Sequence, residues 1–312
     1  MTLLVKYTLI YGIVLMLVAL GACYSERSGI INIAMEGIMV IGGVAGLLVL
    51  VMLPPEMSRF WKVTLTILTA AAAGTAYSAL LAFASINLKA DQTIGGTALN
   101  LLATALALVL VKRYNNSMAG GTGTQSPKLT FVNSDFLFNI GPVTVNVFLP
   151  LGIVLLVIAM VVLYKTRFGM RLMACGEHPQ AADSVGINVY KMRWCGVLIS
   201  GFLGGIGGLA YIVPAVQIWN FEGGVTGMGF LAIAVMIFGQ WKPGRIFLAA
   251  MFFAVFKALA NIYDSTFLSA LNLTKEVYNM MPFLASMIIL AFTSKNSRAP
   301  KAEGIPYDKG QR

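Results

Sequence analysis

The sequence predicts an all-α, polytopic membrane protein with about nine transmembrane segments, joined by a cytoplasmic loop that carries one short helix. Three observations lead there. Hydrophobic residues make up 58% of the 312 and charged residues 11%, against roughly 45–50% and about 25% in soluble domains. The charges cluster, leaving apolar stretches of about 17–24 residues, each able to cross a hydrocarbon core of about 30 Å. A polar island, Thr166 to Arg193, interrupts them.

Taken in order, the spans are expected near 7–23, 30–53, 63–86, 92–111, 144–164, 195–217, 226–241, 245–261 and 277–293. The first resembles a signal peptide, but the spans that follow favour a retained helix. With the 165–193 loop in the cytoplasm, Lys and Arg fall inside over outside at about two to one. Lys6 opposes the outside N-terminus that this requires, and one segment is a candidate for re-entrance. Residues 1–294 therefore read as a transmembrane domain and 295–312 as a cytoplasmic tail. The tail is polar and basic with Pro300 and Pro306, a composition that favours disorder. Residues 113–143, rich in Gly, Ser, Asn and Thr, form the longest external loop, either a flexible connector or a surface for an external partner.

Within the island, Pro179 opens the run QAADSV and Gly186 closes it. Proline suits the first helical position and glycine the residue past the end, so a helix of about two turns is expected. Lys165, Arg167, Arg171, Lys191 and Arg193 surround it. A short capped helix on a basic loop between spans fits docking by a soluble partner.

Catalytic patterns are missing from the sequence. No GxxxxGK[ST] loop occurs; GGTGTQSPK at 120–128 lacks its ending, so ATP hydrolysis finds no motif here. The one histidine, His178, precedes Pro179 and suits a cap. No CxxC, HExxH or spaced carboxylate pair suggests a metal or an enzyme. Cys23, Cys175 and Cys195 lie in or beside apolar runs and read as reduced, buried thiols. The net charge of +10 is explained by membrane orientation rather than nucleic acid.

Polar groups inside the spans are functional candidates, because burying them in hydrocarbon is costly. Asn32 and Glu36, four residues apart, share a face if helical. They either face a polar pathway or hold a re-entrant turn; alternatively, Glu36 pairs with Arg27 or with backbone near the interface. Asp91 suits a helix start, with Thr93 and Asn100 on nearly one face of the fourth span as pathway candidates. Lys257 lies deep in the eighth span and is expected to snorkel. Gln217, Trp219, Asn220 and Phe221 form an interfacial belt whose rings and amides also suit a ring-bearing solute. A weak echo links 28–43 with 223–239, as in inverted-repeat transporters, although glycine-rich helix packing explains it equally.

Three stretches carry a likeness to a known family: SERSGIINIAMEGIMVIGG (25–43), DQTIGGTALNLLATAL (91–106) and FGMRLMACGEHPQAADSVGINVYKMRW (168–194). Together, and in this order, they resemble ABC-importer permeases for nucleosides and simple sugars, which group with branched-chain amino-acid permeases. The chain is most similar to the shorter permease of a nucleoside uptake system. The resemblance implies a bacterial cell-membrane subunit paired with a second, longer permease, ATP-binding subunits that carry the ATP-Mg, and an external substrate-binding lipoprotein. It makes 165–193 the coupling loop, with Glu177, Ala181, Ala182 and Gly186 as matching positions, supported by Pro179 and Arg171. Small alanines would let the helix seat in a groove of the ATPase. The family's usual Asn is His178 here.

The reading is thus a non-enzymatic permease subunit of an ATP-driven importer, without a cofactor of its own, moving a nucleoside or related sugar by alternating access. The alternative is an ATP-independent carrier or channel, which would lean on Glu36 and Lys257.

Overall fold

A computed structural model of the chain describes residues 2–118, 120, 126–140, 143–263, 275–293 and 299–310. Its helices are Thr2–Arg27 (α1), Met35–Met52 (α2), Arg59–Ala82 (α3, prolonged by a π-helical turn Phe83–Asn87), Gln92–Met118 (α4), Phe148–Lys165 (α5), Arg167–Glu177 (α6), Pro179–Ser184 (α7), Val189–Ile212 (α8), Met228–Phe238 (α9), Pro243–Asn261 (α10) and Lys275–Thr293 (α11).

Among the described residues, seven helices are long and apolar enough to cross a membrane: α1, α2, α3 with its π turn, α4, α5, α8 and α10. The expected span 277–293, on α11, is not among them, and neither is 226–241. Its helix, α9, has 11 residues, or about 16 Å at 1.5 Å per residue, roughly half the hydrocarbon core. Gly224 (φ 56°), Thr226 (φ 55°) and Gly227 (φ 78°) delay its start with left-handed backbone. The chain is all-α and polytopic, with one half-length helix where the apolar run suggested a full span.

α1 and α8 pack against each other at the centre. α8 is flanked by α2 and α3, and α1 by α9 and α10. Glycines 201, 205 and 208 make the α8 contacts possible. A Cβ on Gly201 would meet Ser78 and the Gly74 carbonyl, one on Gly205 the Ala70 carbonyl, and one on Gly208 the Met39 carbonyl. Without a hydrophobic drive between helices in lipid, such close approach is what holds spans together. The faint echo between 28–43 and 223–239 covers the starts of α2 and α9.

At the end of the bundle away from α6 and α7, Lys128–Thr130 (β1) pairs antiparallel with Ile218–Asn220 (β4), placing Leu129 opposite Trp219. Leu137–Ile140 (β2) and Val143–Asn146 (β3) form a hairpin. Part of the polar loop 113–143 is thus anchored on the connection between α8 and α9; residues 119, 121–125 and 141–142 lie outside the described ones.

The tail departs from the expected disorder. Residues 299–310 lie against the α6–α7–α8 end of the bundle, with Ala302 and Tyr307 buried. Composition did not reveal that backbone groups of Gly29 and Gly176 await partners there: Ala302 N donates to Gly176 O at 2.9 Å and Gly304 N to Gly29 O at 3.2 Å.

Candidate coupling helix and broken-helix core

The polar island folds as two helices. Thr166 caps α6 by accepting from Gly169 N at 3.2 Å. α7 begins at Pro179, the first helical position. It ends in a Schellman motif: Ile187 N donates to Ala182 O at 3.0 Å, Gly186 N donates to Asp183 O at 2.9 Å, and Gly186 takes φ 81°. His178 occupies the cap position, but its side chain makes no cap hydrogen bond. Sequence reading found α7 and missed α6, whose signals were Thr166 and the amphipathic run RFGMRLMACGE.

The two alanines of α7 do different jobs. Ala182 is 4% exposed, packed with Cys175, Val189 and Tyr307, and Pro179 is also buried. They seat α7 on its own protein. Ala181 faces outward with Gln180, Ser184 and Val185, the last 74% exposed. The expectation that Ala182 meets a partner is therefore corrected: helical spacing turns it inward. Arg167, Arg171 and Lys191 are exposed beside this face, whereas Arg193 is buried at 1%. Glu177 forms a 4.0 Å ion pair with Arg27, the last residue of α1. Burial pushes the Cys175 thiol up to about 11, keeping it an unreactive packing group.

Deeper in the bundle, the chain between α1 and α2 is not helical. Residues 28–34 turn after Gly29 (φ 95°) and run back into the core. α2 then starts beside Ser200, in the middle of α8, and runs alongside it: Gly42 meets Gly205, and Gly46 meets Leu209. α9 starts at the same depth and runs the other way, its end reaching Trp241, whose carbonyl accepts from Arg27 at 3.1 Å. Two helix N-termini thus converge in the core. Their dipoles are positive there, and Glu36, in the first turn of α2, lies between them. It accepts from Gly227 N and Gly229 N of α9, each at 2.7 Å.

α4 clasps the broken segment. Gln92 Oε1 accepts from Ile31 N at 2.7 Å, Asn100 Oδ1 accepts from Gly37 N at 2.7 Å, and Asn100 Nδ2 donates to Ile33 O at 2.9 Å. Asn32 Nδ2 donates to Ser200 Oγ at 2.8 Å, and its buried Oδ1 has no hydrogen-bond partner among the described residues.

The structure redistributes the pathway candidates. Asn32 and Glu36 do not share a helical face, because the helix starts at Met35 rather than near residue 30. Thr93 is exposed and Asn100 is 9% exposed, so they do not line one face. Asp91 caps α4 as expected, accepting from Thr93 N at 2.8 Å and Ile94 N at 2.9 Å. Of the partners open for Glu36, the structure gives it backbone, the N–H groups of Gly227 and Gly229, and not Arg27. Gln92, Ser200, Gly227 and Gly229 were missed, since only tertiary contacts bring them to the break.

Residues 4–291 match the family described as branched-chain amino acid transport system / permease component. The chain is 38% identical to the nucleoside ABC transporter permease protein NupC of Lactococcus lactis subsp. cremoris (strain MG1363), over 97% of this chain and 96% of that protein. It is 37% identical to the guanosine ABC transporter permease protein NupQ of Bacillus subtilis (strain 168), over 100% and 98%. NupB, a second nucleoside ABC transporter permease protein of that Lactococcus strain, is 22% identical over 96% and 83%. No solved structure matches. These relatives are transport permeases, and the chain belongs to the branched-chain amino acid transport permease family.

Proposed function

We propose that this chain is the nucleoside-translocating permease of an ATP-driven importer, with α7 as the site where an ATP-binding subunit pushes. The observation that carries it is the division of labour in α7. One face is anchored by Pro179 and Ala182; the other offers Gln180, Ala181, Ser184 and Val185, rimmed by basic residues. A rigid element seated in this way passes on a displacement rather than absorbing it. Arg167 and Arg171 would meet acidic partner surface, and Glu177 ties the loop to α1.

The place to move is the junction of α2 with α9, where Glu36 holds two half-depth helix starts together. Alternating access there would shift α9 relative to α2. The solute class follows from the relatives, whose printed names specify nucleosides and guanosine. A second permease would cover α4, whose outer face exposes Ile94 and Leu101 at 72% each and Val109 at 62%. An external lipoprotein would deliver solute at the β1–β4 end, and ATP-Mg would be bound by the ATP-binding subunits.

The test is uptake of radiolabelled guanosine by proteoliposomes holding this chain, the second permease and the ATP-binding subunit, with the loaded lipoprotein outside. Accumulation that requires ATP and is unaffected by excess ribose is expected. ATP-independent equilibration would point to a carrier instead.

A further inference from the structure

We infer that the C-terminal segment 299–310 is a mechanical link between α7 and the break before α2, so that ATP hydrolysis drives transport only while this segment is docked. The inference rests on α7 being the ATPase contact.

The segment touches both ends of the route. On the α7 side, the Tyr307 ring packs in one cluster with Ala182, Cys175 and Val189 and meets the Tyr190 ring edge-on at 5.4 Å. Lys309 Nζ lies 3.9 Å from the carboxylate of Asp183 in α7. On the other side, the hydrogen bonds of Ala302 and Gly304 described above staple the end of α6 to Gly29, where the broken segment begins. Gly304 takes φ 76°, and a Cβ there would meet Ile31 at 2.8 Å. A Cβ on Gly176 would strike the Arg27 carbonyl. Three segments of the chain cross here at a separation only glycine permits.

Two further contacts argue against a casually placed tail. Asp308 pairs with Lys89 at 2.8 Å, beyond the π turn that ends α3. Arg193, 1% exposed, donates through Nη1 to Ile305 O at 2.9 Å, while its Nε and Nη2 make no hydrogen bond among the described residues. A buried guanidinium that relies on a tail carbonyl makes undocking costly unless α8 moves as well.

The route therefore runs from α7 through Tyr307 to Ala302 and Gly304, then to Gly29–Ile31, and on to Glu36 at the start of α2, which bonds the start of α9. Packed side chains and backbone hydrogen bonds form a contiguous path of the kind that carries coupling.

The experiment uses the complete reconstituted complex with the chain ended after Arg298, and in parallel with Tyr307→Ala. ATP hydrolysis stimulated by loaded lipoprotein, nucleoside transport and retention of the ATP-binding subunit are measured together. The link predicts that the subunit stays bound and hydrolysis persists, while nucleoside moved per ATP falls about tenfold, within the usual span of coupling energies. An unchanged ratio in either variant overturns the link. So does a parallel fall in hydrolysis, transport and subunit retention, which makes the segment a docking surface only. If the shortened chain fails to assemble, Tyr307→Ala decides by the same ratio. Absence of ATP-driven uptake in the unaltered complex would strike the importer reading itself, a different failure.

Discussion

Glu36 and Gly229 lie on different helices, yet Glu36 Oε2 accepts from Gly229 N at 2.7 Å while Oε1 accepts from Gly227 N at the same distance. One carboxylate thus satisfies orphan N–H groups of α9 from within the first turn of α2. Gly229 is required too, because a Cβ there would strike the Glu36 backbone. The pairing explains why an acidic residue is kept inside a hydrophobic bundle: it neutralises two positive dipole ends that would otherwise repel.

Glu36→Ala removes two charge-assisted hydrogen bonds, each worth about 1.5–3 kcal/mol. Nucleoside uptake should be lost, together with a clear fall in thermal stability. Glu36→Gln keeps one acceptor and should be intermediate in both. Thermal melts of purified protein and uptake assays check this; equal effects of the two variants would contradict it.

Ala181 and Ala182 should separate docking from folding. Ala181→Trp adds bulk on the exposed face, so the chain should fold normally and fail to retain the ATP-binding subunit on co-purification. Ala182→Leu overpacks the contact with Cys175 and Tyr307, at a cost of about 1–3 kcal/mol. It should lower thermal stability before it affects partner binding.

Asn100→Ala leaves Gly37 N and Ile33 O without their side-chain partner, at about 1–3 kcal/mol per buried group. Amide exchange at residues 31–37 should accelerate and the melting temperature should drop. Thr93→Ala, at an exposed position, should do neither.

Docking of 299–310 should depend on pH through Glu303. Burial raises its carboxyl above the ordinary 4.5, opposed by contact with Glu26. The docked segment therefore holds a proton that the free one releases, so docking is strongest at low pH and weakens as pH rises from 4.5 through the raised value. Asp308, held low by Lys89, and Lys89, held high by Asp308, change docking only below 3.8 and above 10.5 respectively. Hydrogen exchange of the segment, corrected for intrinsic rate, should be slower at about pH 5.5 than at about pH 8. Glu303→Gln should flatten the difference.

The sequence made α7 legible because Pro179 and Gly186 are local signals that need no tertiary knowledge. It also made the long spans legible, since apolar length is what a bilayer selects. The half-length α9 was hidden because its apolar run continues into Gly239 and Trp241, and the left-handed backbone at 224–227 carries no hydropathy signature. Asn100 and Asn32 announced themselves as polar groups in apolar spans. Whether such a group lines a route or caps a break depends on which backbone lies opposite, and that is fixed only by packing. The tail was misread for a related reason: its few apolar anchors, Ala302 and Tyr307, find their pockets on α6, α7 and α8.

The central claim is that force enters this bundle from the cytoplasm at the exposed face of α7. The direct measurement is labelling of Gln180→Cys, in a background lacking Cys23, Cys175 and Cys195, with an impermeant thiol reagent. Labelling only after the cells are opened, and blocked by the bound ATP-binding subunit, is the predicted result. Labelling in intact cells would place α7 on the external side and contradict the account.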